Sequence, residues 1–350
     1  MTPKEGGLGQ VARLPAAPRH GARFLDRLVL ACVGVLTVAH AKPLAIAHRG
    51  ASGYLPEHTL EAAAYAHALG ADFIEQDVVM SKDDVLVVCH DIHVDLTTDV
   101  AQKFPRRHRA DGRYYAADFT WDELQRLQVR ERFNRATGQP VFPRRFPHQG
   151  GGFRLCSMEE SIQLVRGLNR STGRQAGVYP EIKDPAWHAR EGKDPGVALL
   201  ELLAKYGYRD AADPVFVQCF DPNELKRLRF ERKTKLRLVQ LIAAGDDADG
   251  VKSPVLRTAE GLKAIAGYAQ GIGPPLGDVV KASPGAAGLK PTTLVRDAHA
   301  AGLLVHPYTV RADALPRGAA SIADLVDFLF REAKVDGVFI DQPDEAVRRR

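Results

Sequence analysis

The sequence predicts an α/β chain folded as a TIM (β/α)8 barrel, with a hairpin and an insertion over the C-terminal mouth of its strands. Short apolar runs alternate with amphipathic stretches to give eight strand and helix units. Charged and imidazole side chains stand just past several of those runs, where a barrel concentrates its chemistry. A chain of 350 residues, 45% hydrophobic and 26% charged, is long enough for one barrel-sized domain. An open, doubly wound sheet shares the rhythm, but it would spread apart the polar ends of strands one, two, three, four and seven, which closure gathers.

Residues 1–41 stand apart from that domain. A basic lead (Arg13, Arg19, Arg23, Arg27) precedes the apolar run Leu28 to Ala39, which closes on Ala39-His40-Ala41, the pattern of a cleaved secretory signal. The run falls short of the about 20 apolar residues that cross a bilayer, which argues against a transmembrane anchor. Cys32 raises a lipoprotein reading, opposed by the bulky Leu30 where a small residue is needed. Without residues 1–41 the chain loses five Lys/Arg and two Asp/Glu, so its formal charge falls from +5 to +2 and gives no ground for a nucleic-acid partner. Three cysteines remain, Cys89, Cys156 and Cys219, too few for a disulfide scaffold; they read as idle buried thiols, with one bridge left open.

Strand one is Leu44 to Ala47. Pro56-Glu57-His58-Thr59 opens the first helix, because proline suits a first turn and Leu60, Ala64 and Ala68 follow at helical spacing up to Gly70. Phe73 to Val79 is strand two. Only seven residues separate Asp77 from the next apolar run, Val85 to Cys89, too few for a parallel crossover. That run must therefore return as a hairpin arm, carrying His90-Asp91 over the mouth. From His93 to about Arg154 periodicity is poor, and one helix is predicted at Trp121 to Gln128, opened by Thr120 with Glu123 as a capping box. This stretch, about residues 92–155, reads as an insertion packed on the mouth and not a separate domain, and a solvated face is one account of its arginines. After it come helices at Met158 to Leu168, Gly196 to Tyr206, Asn223 to Arg229, Ala259 to Tyr268, Thr292 to Ala300 and Ala323 to Ala333. They lead in turn to strands at Val178 to Ile182, Val215 to Phe220, Leu236 to Ile242, Gly271 to Gly273, Leu303 to His306 and Val338 to Asp341.

Glu75 and Asp77, two apart on one strand, share a face, and Glu181 ends the next parallel strand. Three converging carboxylates repel unless a cation compensates, and oxygen-only ligation selects a hard divalent ion, Ca2+ or Mg2+, over zinc. A solvated acidic rim with Lys183 as counter-ion accounts for the same residues. His48 and His90 flank the group, one from strand one and one from the arm. Each alone is more often a structural hydrogen-bonder, but a pair framing carboxylates can divide the work of base and acid near neutral pH. Arg49 and Lys183 add donors suited to a phosphate. Residue types alone thus point to metal-assisted phosphodiester cleavage.

His48-Arg49-Gly50, Pro56-Glu57-x-Thr59, Glu75-x-Asp77, His90-Asp91, Glu181-Ile182-Lys183, Asp336-Gly337 and Asp341-x-Pro343-Asp344 resemble, in order and spacing from Leu44 to about Val347, the glycerophosphodiester phosphodiesterase family. LPEHT, YPEIK, VQCFD and VHPYTVR resemble its periplasmic branch rather than the short cytosolic one. His58 stands where asparagine is commoner in the wider family. The resemblance implies a (β/α)8 barrel, a Ca2+ site made by Glu75, Asp77 and Glu181 with Mg2+ as the alternative, His48 and His90 as acid/base pair, and phosphate contacts from Arg49 and Lys183. It implies small-molecule glycerophosphodiesters such as glycerophosphocholine and glycerophosphoethanolamine as substrates. The products would be sn-glycerol 3-phosphate and a free alcohol, and the location periplasmic or secreted. Glu57, Gln218, Phe220, His306, Tyr308 and Arg311 are candidate pocket residues, for which packing or rim solvation is an equal reading. Two other functions stay open: a phospholipase C-like or D-like barrel acting on lipid or lysolipid, and a non-enzymatic surface binding barrel. No exposed apolar arm for membrane docking is visible, which counts against the first, and the intact histidine pair counts against the second. No stable membrane insertion is expected, and a homodimer is left open.

Overall fold

In the computed structural model, eight short parallel strands surround an interior that is aromatic below and polar above. The structure describes residues 42–147, 151–245, 247–248, 251–283 and 288–350. The signal and lipoprotein readings of residues 1–41 lie outside the described residues. The strands are β1 (Leu44–Ala47), β2 (Phe73–Met80), β3 (Leu86–Val88), β4 (Gly177–Ile182), β5 (Phe216–Cys219), β6 (Arg237–Leu241), β7 (Gly271–Gly273), β8 (Leu304–Val305) and β9 (Gly337–Ile340). Their order is β8-β7-β6-β5-β4-β2-β1-β9, with β3 paired to β2 alone. The barrel closes at β8 and β9 through single contacts: the Asp336 N–H donates to the Val305 carbonyl at 3.0 Å and the Phe339 N–H to the Pro307 carbonyl at 3.0 Å. Every residue of β2, β4, β5 and β9 is buried, as expected of parallel strands covered by helices on one side and by their own interior on the other.

All eight predicted strands form, and the hairpin forms as chain arithmetic requires: β3 runs antiparallel to β2, Val78 opposite Val88 and Met80 opposite Leu86. The first helix, α1, is shorter than predicted. It runs Leu60–Ala68, capped by the Thr59 side chain, which accepts from the Ala62 N–H. Pro56 to Thr59 stay outside it because His58 sits at φ +62, a left-handed conformation no helix accommodates. The Thr120–Glu123 capping box is present at the head of a helix over Trp121–Gln125. A second box, Ser157–Glu160, starts the helix Met158–Thr172, which ends at Gly173 with φ 74, four residues later than the periodicity predicts.

The insertion builds a small core of its own. Val94, Tyr114, Phe119, Leu124, Leu127 and Phe153 pack with Val79 of β2 and with Val87 and Cys89 of the arm. Removing the fully buried Phe119 ring would cost about 3–5 kcal/mol. The solvated-face reading of the insertion's arginines does not extend to Arg132 and Arg145, which turn inward with side chains 15% and 6% exposed to pair with Asp91 and Asp341.

Inside the barrel, strand alternation stacks side chains in layers. Phe73, Tyr179, Phe216 and Phe339 make the lower layer, with the Tyr179 and Phe216 rings stacked 4.8 Å apart. Above it come Glu75, then Asp77, Glu181 and Gln218, which the register sets side by side. Cys89, Cys156 and Cys219 are free and buried. Among the described residues no helix is long and apolar enough to cross a membrane.

Candidate active site

The polar layer opens into a cavity of about 160 Å3 at the C-terminal ends of the strands, lined by His48, Arg49, Glu75, Asp77, His90, Glu181, Lys183, Gln218, Phe220, Tyr308 and Arg311 among others. Each predicted catalytic, phosphate-binding and metal-ligating residue is in this one wall, delivered by β1, β2, β4 and the arm.

Glu75, Asp77 and Glu181 each offer an oxygen within 4.8 Å of the others, all three side chains being buried. Such a trio cannot be fully ionised without help. Burial and the Asp77 charge push Glu75 well above the usual carboxyl range, and burial pushes Glu181 up to about 8. Asp77 stays charged: burial opposes it, but Lys183, His90 and a 2.7 Å hydrogen bond from His58 Nε2 hold it well below its usual value. Lys183 Nζ lies 2.6 Å from Glu181 Oε1 and 3.8 Å from Asp77 Oδ1, so one ammonium serves two carboxylates. Beside them Gln218 Oε1 is buried with no hydrogen-bond partner. Three close carboxylates and an orphaned amide oxygen form a donor set suited to a hard divalent cation and to nothing softer, and these residues could hold such a metal ion.

The His58 position explains itself in this geometry. A left-handed backbone there admits Asn, Asp or His more readily than other non-glycine residues, and the side chain must donate to Asp77. Arg49 is held in the same way, at φ 58, with its N–H donating to Glu75 Oε2 at 2.6 Å. Its guanidinium donates to Glu57 at 3.0 Å, while its Nε, 3.6 Å from Asp77, has no hydrogen-bond partner. A buried donor left over beside a cavity suits an oxyanion.

The two histidines are mounted alike. His48 Nδ1 lies 2.7 Å from Asp341 Oδ1, and Asp341 Oδ2 accepts from Arg145 at 2.6 Å and from Arg311 at 2.9 Å. His90 Nδ1 lies 2.7 Å from Asp91 Oδ1, and Asp91 Oδ2 accepts from Arg132 at 2.7 Å. Both carboxylates are held in the charged form by their imidazole and arginine neighbours, against the cost of burial. A charged carboxylate only accepts, so each Nδ1 carries the proton and each Nε2 keeps a lone pair for the cavity. Burial and Arg49 lower His48 to about 4; burial, Arg49 and Lys183 lower His90 to about 3, so both are neutral at pH 7.

The pocket residues divide. Gln218, Phe220, Tyr308 and Arg311 line the cavity. Glu57 lies behind it, where it binds Arg49 and Arg132 together. His306 is not in the cavity wall: it is 0% exposed, one pleat below Tyr308, with Nδ1 3.0 Å from the Tyr179 hydroxyl. The sequence reading gave Asp341, Arg132 and Arg145 no role in the site. Asp341 was visible only as part of the closing motif, and the two arginines carry no local signal.

Known proteins resemble this chain over most of its length. A sequence model described as the glycerophosphoryl diester phosphodiesterase family matches residues 48–345. A Haemophilus influenzae protein named glycerophosphodiester phosphodiesterase is 43% identical over 320 residues, covering 86% of this chain and 88% of its own length. A protein of the same name from Treponema pallidum is 39% identical over 326 residues, covering 87% and 90%. A solved Oleispira antarctica phosphodiesterase, in complex with the product sn-glycerol-3-phosphate, matches with a TM-score of 0.58 over 87% of this chain and 95% of that one; at 19% identity the likeness is one of fold.

Proposed function

The chain belongs to the glycerophosphoryl diester phosphodiesterase family and is a glycerophosphodiester phosphodiesterase, and from that premise we propose a metal-dependent hydrolysis with His48 and His90 as its acid/base pair. The matched mounting of the two imidazoles carries this reading: two neutral rings, each oriented by a carboxylate, face one cavity. One Nε2 takes the proton from the attacking oxygen, and the other gives a proton to the oxygen of the leaving alcohol. Burial and then the cations Arg49 and Lys183 depress His90; an entering phosphodiester anion compensates the two cations and so raises the affinity of the imidazole for the proton it must donate. Arg49 Nε and the Lys183 ammonium bind the phosphate. Ca2+, or Mg2+ in its place, would be held by Glu75, Asp77 and Glu181 and would supply a Lewis acid for the phosphoryl oxygen and an anchor for the glycerol hydroxyls.

Substrates of this reading are glycerophosphocholine, glycerophosphoethanolamine and their kin, cut to sn-glycerol 3-phosphate and an alcohol. The product held by the Oleispira antarctica structure supports that choice. We also infer export, on the signal pattern of residues 1–41 alone, which N-terminal sequencing of the mature protein tests. The activity test is product analysis on glycerophosphocholine: glycerol 3-phosphate and choline appear, chelator stops them, and added Ca2+ restores them. Turnover that survives exhaustive chelation, or retained in folded His48→Ala and His90→Ala proteins, overturns the metal or the histidine roles respectively.

A further inference from the structure

A second cavity of about 210 Å3 lies between the barrel and the insertion, and it meets the first at His48, Arg49, His90 and Arg311. We propose that this cavity seats the alcohol half of the diester, that Val141 and Phe142 of the insertion limit the size of that alcohol, and that the cavity does not select its charge. The inference rests on the reading above, in which the carboxylate side of the site takes the glycerol. A phosphodiester sends two organic arms away from one phosphorus. Arg49, one of the two residues that would hold the phosphate, and the two histidines that would act on it line both cavities, so one arm is left for each. The first cavity runs down to the carboxylates and to Phe339 of the aromatic layer, while the second is walled by the insertion.

The walls of the second cavity are charged but paired in place. Arg132 is bonded to Glu57 and Asp91, and Arg145 to Asp313 and Asp341, each contact between 2.6 and 3.1 Å. With each guanidinium matched by carboxylates, neither a cationic nor a neutral head group meets an uncompensated charge. Size is read by a rigid edge. The Val141 N–H donates to the Arg132 carbonyl at 2.9 Å, and the Phe142 ring lies 3.7 Å from the Arg145 guanidinium, which fixes one of its faces. The ligand class is therefore a small polar alcohol, ammonium-bearing or polyhydroxylic, bounded by bulk.

The test compares three esters of glycerol 3-phosphate: the methyl ester, too small to reach the insertion, the choline ester, and the glycerol ester. Val141, 45% exposed, tolerates tryptophan without a packing clash in a core. Val141→Trp is expected to raise KM for the choline and glycerol esters about tenfold and leave kcat/KM of the methyl ester within about twofold. Phe142→Ala, as an independent variant, is expected to improve turnover of an inositol ester, bulkier than either, relative to the methyl ester. An equal effect of Val141→Trp on all three esters, or none on any, overturns the inference, as does a wild-type preference beyond about tenfold between the choline and glycerol esters. Failure of the unsubstituted protein to cleave any of the esters overturns it together with the catalytic reading beneath it.

Discussion

Replacing Asp341 by asparagine alters the reaction through proton placement alone, and the two arginines decide how. Asp341 Oδ2 accepts from Arg145 and Arg311, and guanidinium nitrogens only donate, so the asparagine must turn its carbonyl oxygen toward them. Its NH2 then faces His48 Nδ1, 2.7 Å from the position of Oδ1, and forces that nitrogen to accept. The ring switches tautomer, its proton moves to Nε2, and the lone pair that faced the cavity is gone. A ring that can neither accept at Nε2 nor be stabilised as the imidazolium that donates is lost to either role, so kcat is expected to fall by about 10²- to 10⁴-fold, with KM little changed because no phosphate donor moves. The lost charge on the buried hydrogen bonds is expected to cost about 1–3 kcal/mol of stability, small enough to leave the fold. Asp91→Asn is the companion: one arginine orients it and its side chain is 25% exposed, so amide rotation softens the effect. Steady-state release of glycerol 3-phosphate by both proteins, beside circular dichroism and melting curves, makes the measurement. A folded Asp341→Asn protein within about threefold of wild-type kcat would refute the tautomer reasoning.

Glu181→Gln removes one carboxylate of the trio; Ca2+ at a hundred times its Kd should raise wild-type stability by about 2.7 kcal/mol, and the variant should lose most of that gain in calorimetry. His306, buried and lowered by burial to about 4 from 6.5, binds its proton more readily when unfolded. Stability from this group is therefore full above pH 6.5 and declines as pH falls toward 4, by about 3 kcal/mol in all, and urea titrations at pH 7 and 5 should show a larger loss of unfolding free energy in wild type than in His306→Asn. Gly50, at φ +80, has the Ala62 carbonyl carbon 2.8 Å from where a Cβ would stand, so Gly50→Ala is expected to cost at least about 1–2 kcal/mol and to displace Arg49, read as a lower Tm and a raised KM.

The eight strands were legible because apolar runs bounded by glycine and helix caps repeat along the chain, and the hairpin because seven residues cannot cross a sheet. The carboxylate trio followed from alternation on β2 and the adjacency of β4. What stayed illegible has a common cause. Arg145 meets Asp341 across 196 positions and Arg132 meets Asp91 across 41, and no periodicity links such partners. For His306 the packing reading holds and the pocket reading does not, and the sequence left both open because the end of a strand does not fix depth. His306 and Tyr308 point the same way, but the barrel sets the lower one among Tyr179 and Phe216. The early helix start at Pro56 failed for a reason of backbone sign, since the chain must turn left-handed at His58 to hold Asp77.

β2 runs eight residues without a break, its first part in the barrel and its last part paired with β3. It therefore works as a ruler. Glu75 and Asp77 are marks on it, and the Cys89 N–H donates to the Asp77 carbonyl at 2.9 Å, which fixes where His90 emerges. Length can be added at the tip, residues 81–85, without moving any mark. A single residue added between Val78 and Met80 would turn the arm over and carry the second imidazole to the wrong side of the sheet. Change in length is closed at the stem, and at the tip it is checked by the bonds that tie Lys82 and Asp83 to Phe119 and Trp121 of the insertion.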